Sequence, residues 1–415
     1  MQDCNNKLMW GIIALFTLMQ LVILFIFGYT PYPDSNAYIQ LAQKCIEANE
    51  QYPIVSEINT IPFIWNLGAI NAVYYSLKLF GSITPLFVFY SLIKGFSAWL
   101  IYYISKILFN NKIALTTLIL YVVYPANYGE CTSTLSELPF IFFMLAGIVL
   151  VLRNYALICG FFLAIGNWFR PMGIVFLISL IIFFIITNKK KIIPLVVGYL
   201  MCIAIIGSIS FYRTGHFIYQ AKTGWMALLE YSLDNSNDKT AKGTHEKVYH
   251  IINNDNIPAT EKDNYLRKIC IEWISNHKTE YISQMPKKLI NTFVSDNVNL
   301  CVFLKDKNSR EYMYEPLSIK TIYKSFPILN ITQWLTIINL IYYYILLLSS
   351  CIGTYFLIRK KCWKQLSIPC SVILIGTLIL LAAGHGEARF HIPFMPFIIM
   401  LSAYMFVNLK VNKNG

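Results

Sequence analysis

Long apolar runs separated by short polar segments dominate the chain, and the first run extends from Met9 to Tyr29. Roughly 20 apolar residues are needed for a helix that crosses a bilayer core about 30 Å thick. Nine further runs approach or exceed this length and lie at 82–104, 113–128, 136–152, 155–169, 171–187, 192–212, 334–358, 366–384 and 392–409. The pattern predicts an all-α polytopic membrane protein with about ten transmembrane helices.

The first run is interpreted as a retained helix. Its apolar stretch is longer than that of a signal peptide, and the segment 28–32 (GYTPY) offers no small-residue cleavage site. The run Ile61–Phe80 is long enough to span the membrane but contains Asn66, Asn71 and Lys78, which are costly in lipid. We expect it to be an interfacial helix, and this choice places both chain termini in the cytoplasm.

Two polar segments are long enough to be more than turns between helices. Residues 30–60 form a predicted first outer loop with interfacial helices, and residues 213–333 form a polar insert large enough for a small, mostly helical outer subdomain. The predicted domains are therefore an N-terminal transmembrane catalytic module (1–212), the outer subdomain (213–333) and the C-terminal transmembrane helices (334–415).

Within the insert, apolar residues recur at three- and four-residue spacing in two places. This spacing predicts short helices at Tyr265–Ile274 and Tyr281–Phe293. The stretch Asp234–Asn256 is rich in Asn, Asp and Lys, and we interpret it as a mobile loop.

Composition agrees with the apolar pattern, because 56% of residues are hydrophobic and only 13% are charged. The formal net charge of +13 would suit a nucleic-acid-binding protein if the cations formed one patch. Instead, thirteen Lys and Arg residues occupy predicted inner segments around positions 7, 106–112, 153, 189–191, 359–364 and 410–413, which contain one acid, Asp3. This distribution follows the positive-inside rule, so it indicates membrane orientation rather than nucleic-acid binding.

The ten cysteines give no sign of a structural metal site, because no CxxC pair or zinc-finger spacing is present. Cys45, Cys131, Cys270 and Cys301 fall in predicted outer segments, where a disulfide could form, but no pairing follows from the sequence. We expect the cysteines mainly to pack inside the protein.

Asp34 is the first candidate for chemistry and lies in the loop segment 32–42 (YPDSNAYIQLA). Two interpretations are open. Asp34 and Ser35 suit the N-cap of a helix that continues through Tyr38. Alternatively, the Asp34 carboxylate sits at the membrane surface and takes a proton from an acceptor hydroxyl. Tyr38, on the same segment, is a candidate for substrate binding.

Glu130 and Glu137 are a second pair of candidates, in the segment 124–139 between two predicted spans. The segment contains no cation, so both carboxylates are candidates for substrate contact or catalysis. Glu137 opens a predicted helix, where a carboxylate also stabilises the helix dipole. A purely structural role for Glu137 is therefore an open alternative.

Arg170 and Arg389 lie on the side of the membrane to which the positive-inside rule does not assign cations. Arg389 shares one short segment with His385, Glu387 and His391. An arginine near an apolar boundary can simply extend to the lipid headgroups, but guanidinium groups also have the geometry to bind phosphate or pyrophosphate. All these residues are candidates for substrate binding. A divalent metal is possible too, although no zinc motif is present.

These segments resemble those of the GT-C superfamily of membrane glycosyltransferases, most closely the protein-mannosyltransferase and aminoarabinose-transferase-like branch. The resemblance covers nearly the whole chain. It is carried by short motifs: the first-loop acid in Tyr32–Ala42, the acid that opens a helix in Leu135–Phe140, Arg-Pro-x-Gly at Arg170–Gly173, Glu-x-Arg-Phe-x-x-Pro at Glu387–Pro393, and a loop helix within Cys270–Leu289. Many members carry Asp-Glu where this chain has Asp34-Ser35, which leaves donor class and metal dependence open.

The resemblance implies a transferase that uses a sugar linked to polyprenyl phosphate. Asp34 would be the general base that deprotonates the acceptor, and Glu137 would orient or assist. Arg170 and Arg389 would neutralise the departing lipid phosphate. A single base on the face opposite the leaving group implies inversion at the anomeric carbon.

We therefore expect a multi-pass enzyme of the cell envelope, in a bacterial cytoplasmic membrane with its active site outside. Its partners would be membrane lipids, the polyprenyl-phosphate sugar donor and a lipid, glycan or protein acceptor. Two other classes are open: a lipid-linked polysaccharide polymerase or ligase that uses diphosphate-linked oligosaccharides, and a non-enzymatic transporter of lipid-linked sugars. Transporters usually place ionisable groups near mid-membrane, and Lys94 is the only such group in the predicted spans.

Overall fold

The chain folds almost entirely into helices. A computed structural model describes residues 2–55, 61–236, 241–303, 331–384 and 386–411, and no strand occurs among them. The α-helices of these residues are α1 Gln2–Phe27, α2 Pro33–Glu47, α3 Leu67–Phe80, α4 Thr84–Leu108, α5 Asn111–Val123, α6 Glu137–Leu152, α7 Ala156–Phe169, α8 Gly173–Thr187, α9 Ile192–Thr214, α10 Gly224–Asp234, α11 Ala241–Ile252, α12 Ala259–Asn276, α13 Lys278–Ser283, α14 Met285–Phe293, α15 Ile331–Arg359, α16 Trp363–Ala383 and α17 Met395–Val411.

Several of these helices are long and apolar enough to cross a membrane, which confirms a helical membrane protein. Within the described residues there are six candidate spans: Asn6–Phe27, Thr84–Leu108, Lys189–Thr214, Trp334–Arg359, Trp363–Ala383 and Ala388–Leu409. The 3₁₀ segments before α6 and α6 itself are bent by 112°, and counting this pair as one span gives up to seven. The helices α5, α7 and α8 are apolar but shorter.

The apolar helices pack around one large core. Phe16, Phe140, Phe176 and Phe397 come from four different helices and are all nearly or fully buried in it. Close helix contacts depend on glycine: a Cβ atom on Gly160 of α7 would collide with the backbone of α9. Small residues allow this kind of backbone approach, which is typical of helix packing in membranes.

We call the end of the molecule at which Asp34 lies the cavity end. There α2 packs against α3, and α3 packs against α4, around Tyr38, Ile64 and Ile70. The helices α10 to α14, which we call the helical insert, have a small core of their own that includes Leu229, Leu266 and Cys270. Both units contribute side chains to the site described below.

Most predicted spans agree with observed helices to within a few residues, whereas the insert differs more. The loop predicted at Asp234–Asn256 is wrong over residues 241–252, where α11 forms. Helix α11 is stabilised by tertiary packing, because Val248 is buried against α10 and α12, with Ile252 beside it. The helix predicted at Tyr265–Ile274 is longer, and the one at Tyr281–Phe293 is divided into α13 and α14.

Three of the outer cysteines have the packing role expected of them. Cys45 of α2, Cys131 and Cys270 are free thiols and are completely buried.

Candidate functional site

A cavity of about 440 Å³, which we call the central cavity, opens between α2, α10, α16 and the link between α7 and α8 at the cavity end. One part of its wall is charged and another is apolar. Its lining residues are Asp34, Tyr38, Phe63, Trp65, Asn66, Arg170, Pro171, Met172, Thr223, Gly224, Met226, Ala227, Glu230, Ile379, Leu380, Ala383, Gly384, Glu387, Arg389 and Phe390. Such a mixture of an apolar wall and a few convergent polar groups is typical of a small-molecule binding site.

Asp34 and Arg389 form an ion pair in this cavity. Nη1 of Arg389 donates to Oδ2 of Asp34 at 2.6 Å, and Nε of Arg389 donates to Oε2 of Glu387 at 2.9 Å. The Arg389 side chain keeps 17% of its surface exposed and that of Asp34 keeps 23%, so both remain accessible from the cavity. One guanidinium thus holds two carboxylates from distant parts of the chain.

Asp34 does not cap α2, so the capping interpretation is wrong. The helix begins at Pro33 with Tyr32 as its N-cap, and no side-chain capping bond is made. Pro33 suits the first helical position because its ring presets φ and its missing N–H is not needed there. Asp34 therefore lies in the first turn, where its carboxylate points to Arg389 instead of to the helix backbone.

Arg170 forms the second ion pair of the site. It follows directly after α7, is only 8% exposed, and places Nη1 2.7 Å from Oε1 of Glu137. Nε of Arg170 is buried and makes no hydrogen bond to the described residues. An unsatisfied buried donor is costly, by about 1–3 kcal/mol. This donor is therefore suited to an anionic ligand in the cavity.

Phe390 lies between the two arginines. The Cζ atom of Arg170 is 5.3 Å from the centre of the Phe390 ring, and that of Arg389 is 5.6 Å from it. Cations within about 6 Å of a ring centre are attracted to its negative face. The ring therefore helps to hold two like charges at the same cavity wall.

A chain of hydrogen bonds connects Tyr38 of the first loop with the Arg170–Glu137 pair. Nδ2 of Asn66 donates to Oη of Tyr38 at 2.6 Å and to Oγ of Ser136 at 3.2 Å, and Ser136 accepts from Arg170 at 3.4 Å. Burial raises the pKa of Tyr38 above its usual range, and the carboxylates of Asp34 and Glu137 raise it further. The Tyr38 phenol therefore stays protonated and acts as a hydrogen-bond donor or acceptor, not as a base.

Glu230 is a further acid in the cavity that the sequence prediction missed. It lies on α10, in the helical insert, and it lines the cavity together with Glu387. Burial raises the pKa of Glu230, and the nearby carboxylates of Asp234 and Glu387 raise it further. The available signal was its position as a lone acid within the otherwise uncharged segment Gly224–Leu233.

Some of the remaining predicted site residues lie at the central cavity and others do not. Glu387 and Tyr38 line the cavity, and Glu137 reaches it through Arg170. Glu130 does not line it, because Glu130 is buried and forms an ion pair with Lys94 of α4. Asn127 also accepts a hydrogen bond from Lys94, at 3.1 Å.

His391 is also outside the cavity lining. Its Nδ1 donates to the Thr292 carbonyl at 2.6 Å, and its ring is fully buried, stacked on Phe293. Nε2 of His391 is 3.7 Å from Oδ2 of Asp296. These contacts attach the segment that carries Arg389 to the end of α14. His385 lies outside the described residues.

No group of three or more His, Cys, Asp and Glu side chains within the described ranges is arranged to hold a metal ion. Asp34 and Glu387 of the central cavity form ion pairs with Arg389 instead. No protein-family model matches this chain, and no curated protein matches it.

Proposed function

We propose that the protein is a glycosyltransferase of the GT-C type. It moves a sugar from a polyprenyl-phosphate-linked donor to a lipid, glycan or protein acceptor, by an inverting single displacement. The observation that carries this proposal is the Asp34–Arg389 ion pair, which places a carboxylate and an anion-binding guanidinium in the same cavity. The apolar helices around the cavity supply a reason for a lipid-borne substrate.

The donor phosphate binds between Arg389 and Arg170. Both arginines line the cavity beside Phe390, and Nε of Arg170 has a hydrogen to donate. Guanidinium is well matched to phosphate geometry. The polyprenyl chain follows the apolar wall formed by residues such as Met172, Ile379 and Leu380.

Donor binding also activates the base. A phosphate on Arg389 competes with the carboxylate of Asp34 for the same Nη1 atom, so its arrival releases Asp34 toward the acceptor. Asp34 then takes the proton of an acceptor hydroxyl while the acceptor oxygen forms a bond to the anomeric carbon. The bond from that carbon to the phosphate oxygen breaks, and both electrons leave with the polyprenyl phosphate. The two arginines stabilise its growing charge.

The sugar binds against Phe63 and Trp65. These two aromatic side chains line the cavity with ring centres 4.6 Å apart. Flat rings provide a rigid, amphipathic surface for a sugar ring. Glu230 and Tyr38 line the cavity and supply hydrogen bonds to hydroxyl groups.

The membrane arrangement that fits this function has ten spans. The six long candidate spans are joined by α5, α6, α7 and α8, and both termini lie in the cytoplasm. This order puts Asp34, Glu137, Arg170 and Arg389 on the non-cytoplasmic face, and the segments 106–112, 189–191 and 359–364 inside. A bacterial cytoplasmic membrane with the active site outside is the location we propose.

The direct test uses the purified full-length protein in nanodiscs with a panel of polyprenyl-monophosphate sugars. Acceptors are a total membrane lipid extract and soluble glycans, and the readout is the release of polyprenyl phosphate. We expect release with the wild type and a loss of roughly 10²–10⁴-fold with Asp34→Asn. The matched control is Glu47→Gln, which removes an exposed acid from the same helix.

Two results would contradict the proposal. Consumption of a diphosphate-linked oligosaccharide but of no monophosphate-linked sugar would identify a polymerase or ligase. Movement of a lipid-linked sugar across the bilayer without release of polyprenyl phosphate would identify a transporter.

A further inference from the structure

A second cavity, which we call the edge cavity, lies where the C-terminal ends of α2, α3 and α9 meet. Its volume is about 430 Å³, and it is lined by Asn49, Glu50, Gln51, Val55, Tyr74, Lys78 and Arg213. None of these residues lines the central cavity. The edge cavity is therefore a separate site.

The edge cavity lies at one end of a candidate membrane span. Arg213 is in the last turn of α9, and the span that includes α9 ends at Thr214. Large apolar or aromatic side chains near this end are exposed: Leu79 is 69% exposed and Tyr212 is 91% exposed. A tyrosine at the end of a span is typical of the boundary between lipid and water. The edge cavity is therefore at the level of the lipid headgroups.

Two cations, Lys78 and Arg213, line the edge cavity. No carboxylate of the described residues lies within ion-pair distance of either one. Nζ of Lys78 donates to Oη of Tyr74 at 2.7 Å and to Oδ1 of Asn49 at 3.5 Å. Arg213 donates to the backbone carbonyl and the side-chain oxygen of Gln51. These acceptors are neutral, so neither contact neutralises a positive charge.

The charge of the cavity defines the ligand. Glu50 is its acid, and Oε2 of Glu50 accepts a hydrogen bond from the backbone N–H of Val55 at 2.9 Å. Together with Lys78 and Arg213, this leaves one surplus positive charge. A ligand with a single negative charge balances it.

We propose that the edge cavity binds the phosphate group of a membrane phospholipid that carries one net negative charge. Lys78 and Arg213 donate to the phosphate oxygens, because ammonium and guanidinium groups at this depth attract anionic headgroups. The acyl chains lie along the exposed apolar faces of α3 and α9. The bound lipid joins the end of α9 to the first loop, and this role is independent of glycosyl transfer.

The test measures lipid retention by native mass spectrometry of the full-length protein. The probe is a phospholipid with a glycerol headgroup, compared with one that has a choline headgroup. We expect Lys78→Gln combined with Arg213→Gln to weaken retention of the glycerol lipid about thirtyfold. Lys78→Gln alone should weaken it about fivefold. The single change leaves the Arg213–Gln51 contacts intact, so it separates lipid binding from support of the loop.

The matched control removes two exposed cations of the helical insert, with Lys247→Gln and Lys278→Gln, and should leave retention unchanged. Wild-type retention by the double variant of Lys78 and Arg213 would overturn the site. Equal retention of the choline lipid would overturn the charge assignment. Thermal stabilisation by inorganic phosphate alone, equal to that by the glycerol lipid, would show that free phosphate is the ligand.

Discussion

Nη1 of Arg389 lies 2.6 Å from Oδ2 of Asp34, although the two residues are 355 positions apart in the sequence. The contact connects the first loop with the segment before the last helix. In the proposed mechanism, this pair must open before Asp34 can reach an acceptor. An anion that binds Nη1 of Arg389 would compete with Asp34 for that atom, so under the proposal donor binding and the availability of Asp34 are coupled at this contact.

The exchange at this ion pair predicts opposite effects on rate and on binding for Asp34→Asn. Turnover should fall by roughly 10²–10⁴-fold, because the amide cannot accept the proton. Affinity for the polyprenyl-phosphate donor should stay equal or increase, since the phosphate no longer competes with a carboxylate for Arg389. Donor binding is measured with a labelled donor analogue. A parallel loss of donor affinity would argue against the exchange.

Phe390→Leu tests the role of the ring between the two arginines. Leucine retains much of the volume but removes both cation–π contacts. Each is worth about 0.5–2 kcal/mol, depending on desolvation. We expect donor affinity to fall about tenfold with little change in thermal stability. Phe293→Leu is the comparison, because Phe293 contacts His391 and does not line the central cavity.

Glu230→Gln separates sugar recognition from phosphate binding. We expect the KM for the sugar donor to rise about tenfold, because the variant loses a hydrogen bond to the sugar. Affinity for polyprenyl phosphate without a sugar should not change, because the ion-pair partners of the two arginines are Glu137, Asp34 and Glu387. Weaker binding of the sugar-free lipid phosphate would place Glu230 at the phosphate instead.

Lys288 makes the stability of the helical insert depend on pH. Its side chain is 1% exposed, and burial lowers its pKa from 10.5 to about 8. Between pH 8 and 10.5 the unfolded chain therefore binds more protons than the folded one, so stability rises with pH across this window. Thermal unfolding at pH 7.5 and pH 9.5 measures the increase. Lys288→Met should abolish the increase, and its persistence would assign it to another group.

The proposed topology places the helical insert outside the membrane and the segment before α9 inside. Cysteine is introduced at Lys278 in the helical insert or at Lys189 before α9, both exposed, in a background without native cysteines. An impermeant thiol reagent added outside intact cells should label the first position and spare the second. Labelling of both from the same side would contradict the ten-span arrangement.

The sequence predicted most of the helices because each carries its own signal. A run of apolar residues identifies a span without any knowledge of its neighbours. The convergence of Asp34, Arg170 and Arg389 on one cavity was also within reach, since their segments all lie at the same predicted membrane face. The predicted number of spans includes the short helices α5, α7 and α8, and the length of these helices alone does not identify them as membrane spans.

The features that were missed depend on partners far away in the chain. Helix α11 forms where the composition predicted a loop, because Val248 is buried against α12. Glu130 was a candidate for substrate binding because its own segment contains no cation, but its partner is Lys94 in α4. Glu230 reaches the cavity only through the packing of α10 against α16, which no local pattern encodes.

The buried Lys94–Glu130 pair has a consequence for how the chain enters the membrane during synthesis. Lys94 is near the middle of the 25-residue helix α4, and Glu130 emerges from the ribosome 36 residues later. A lone lysine at the centre of a span costs about 2.5–3.5 kcal/mol at the translocon. We therefore expect the arrival of the segment with Glu130 to stabilise α4 in the bilayer, because it supplies the partner of Lys94.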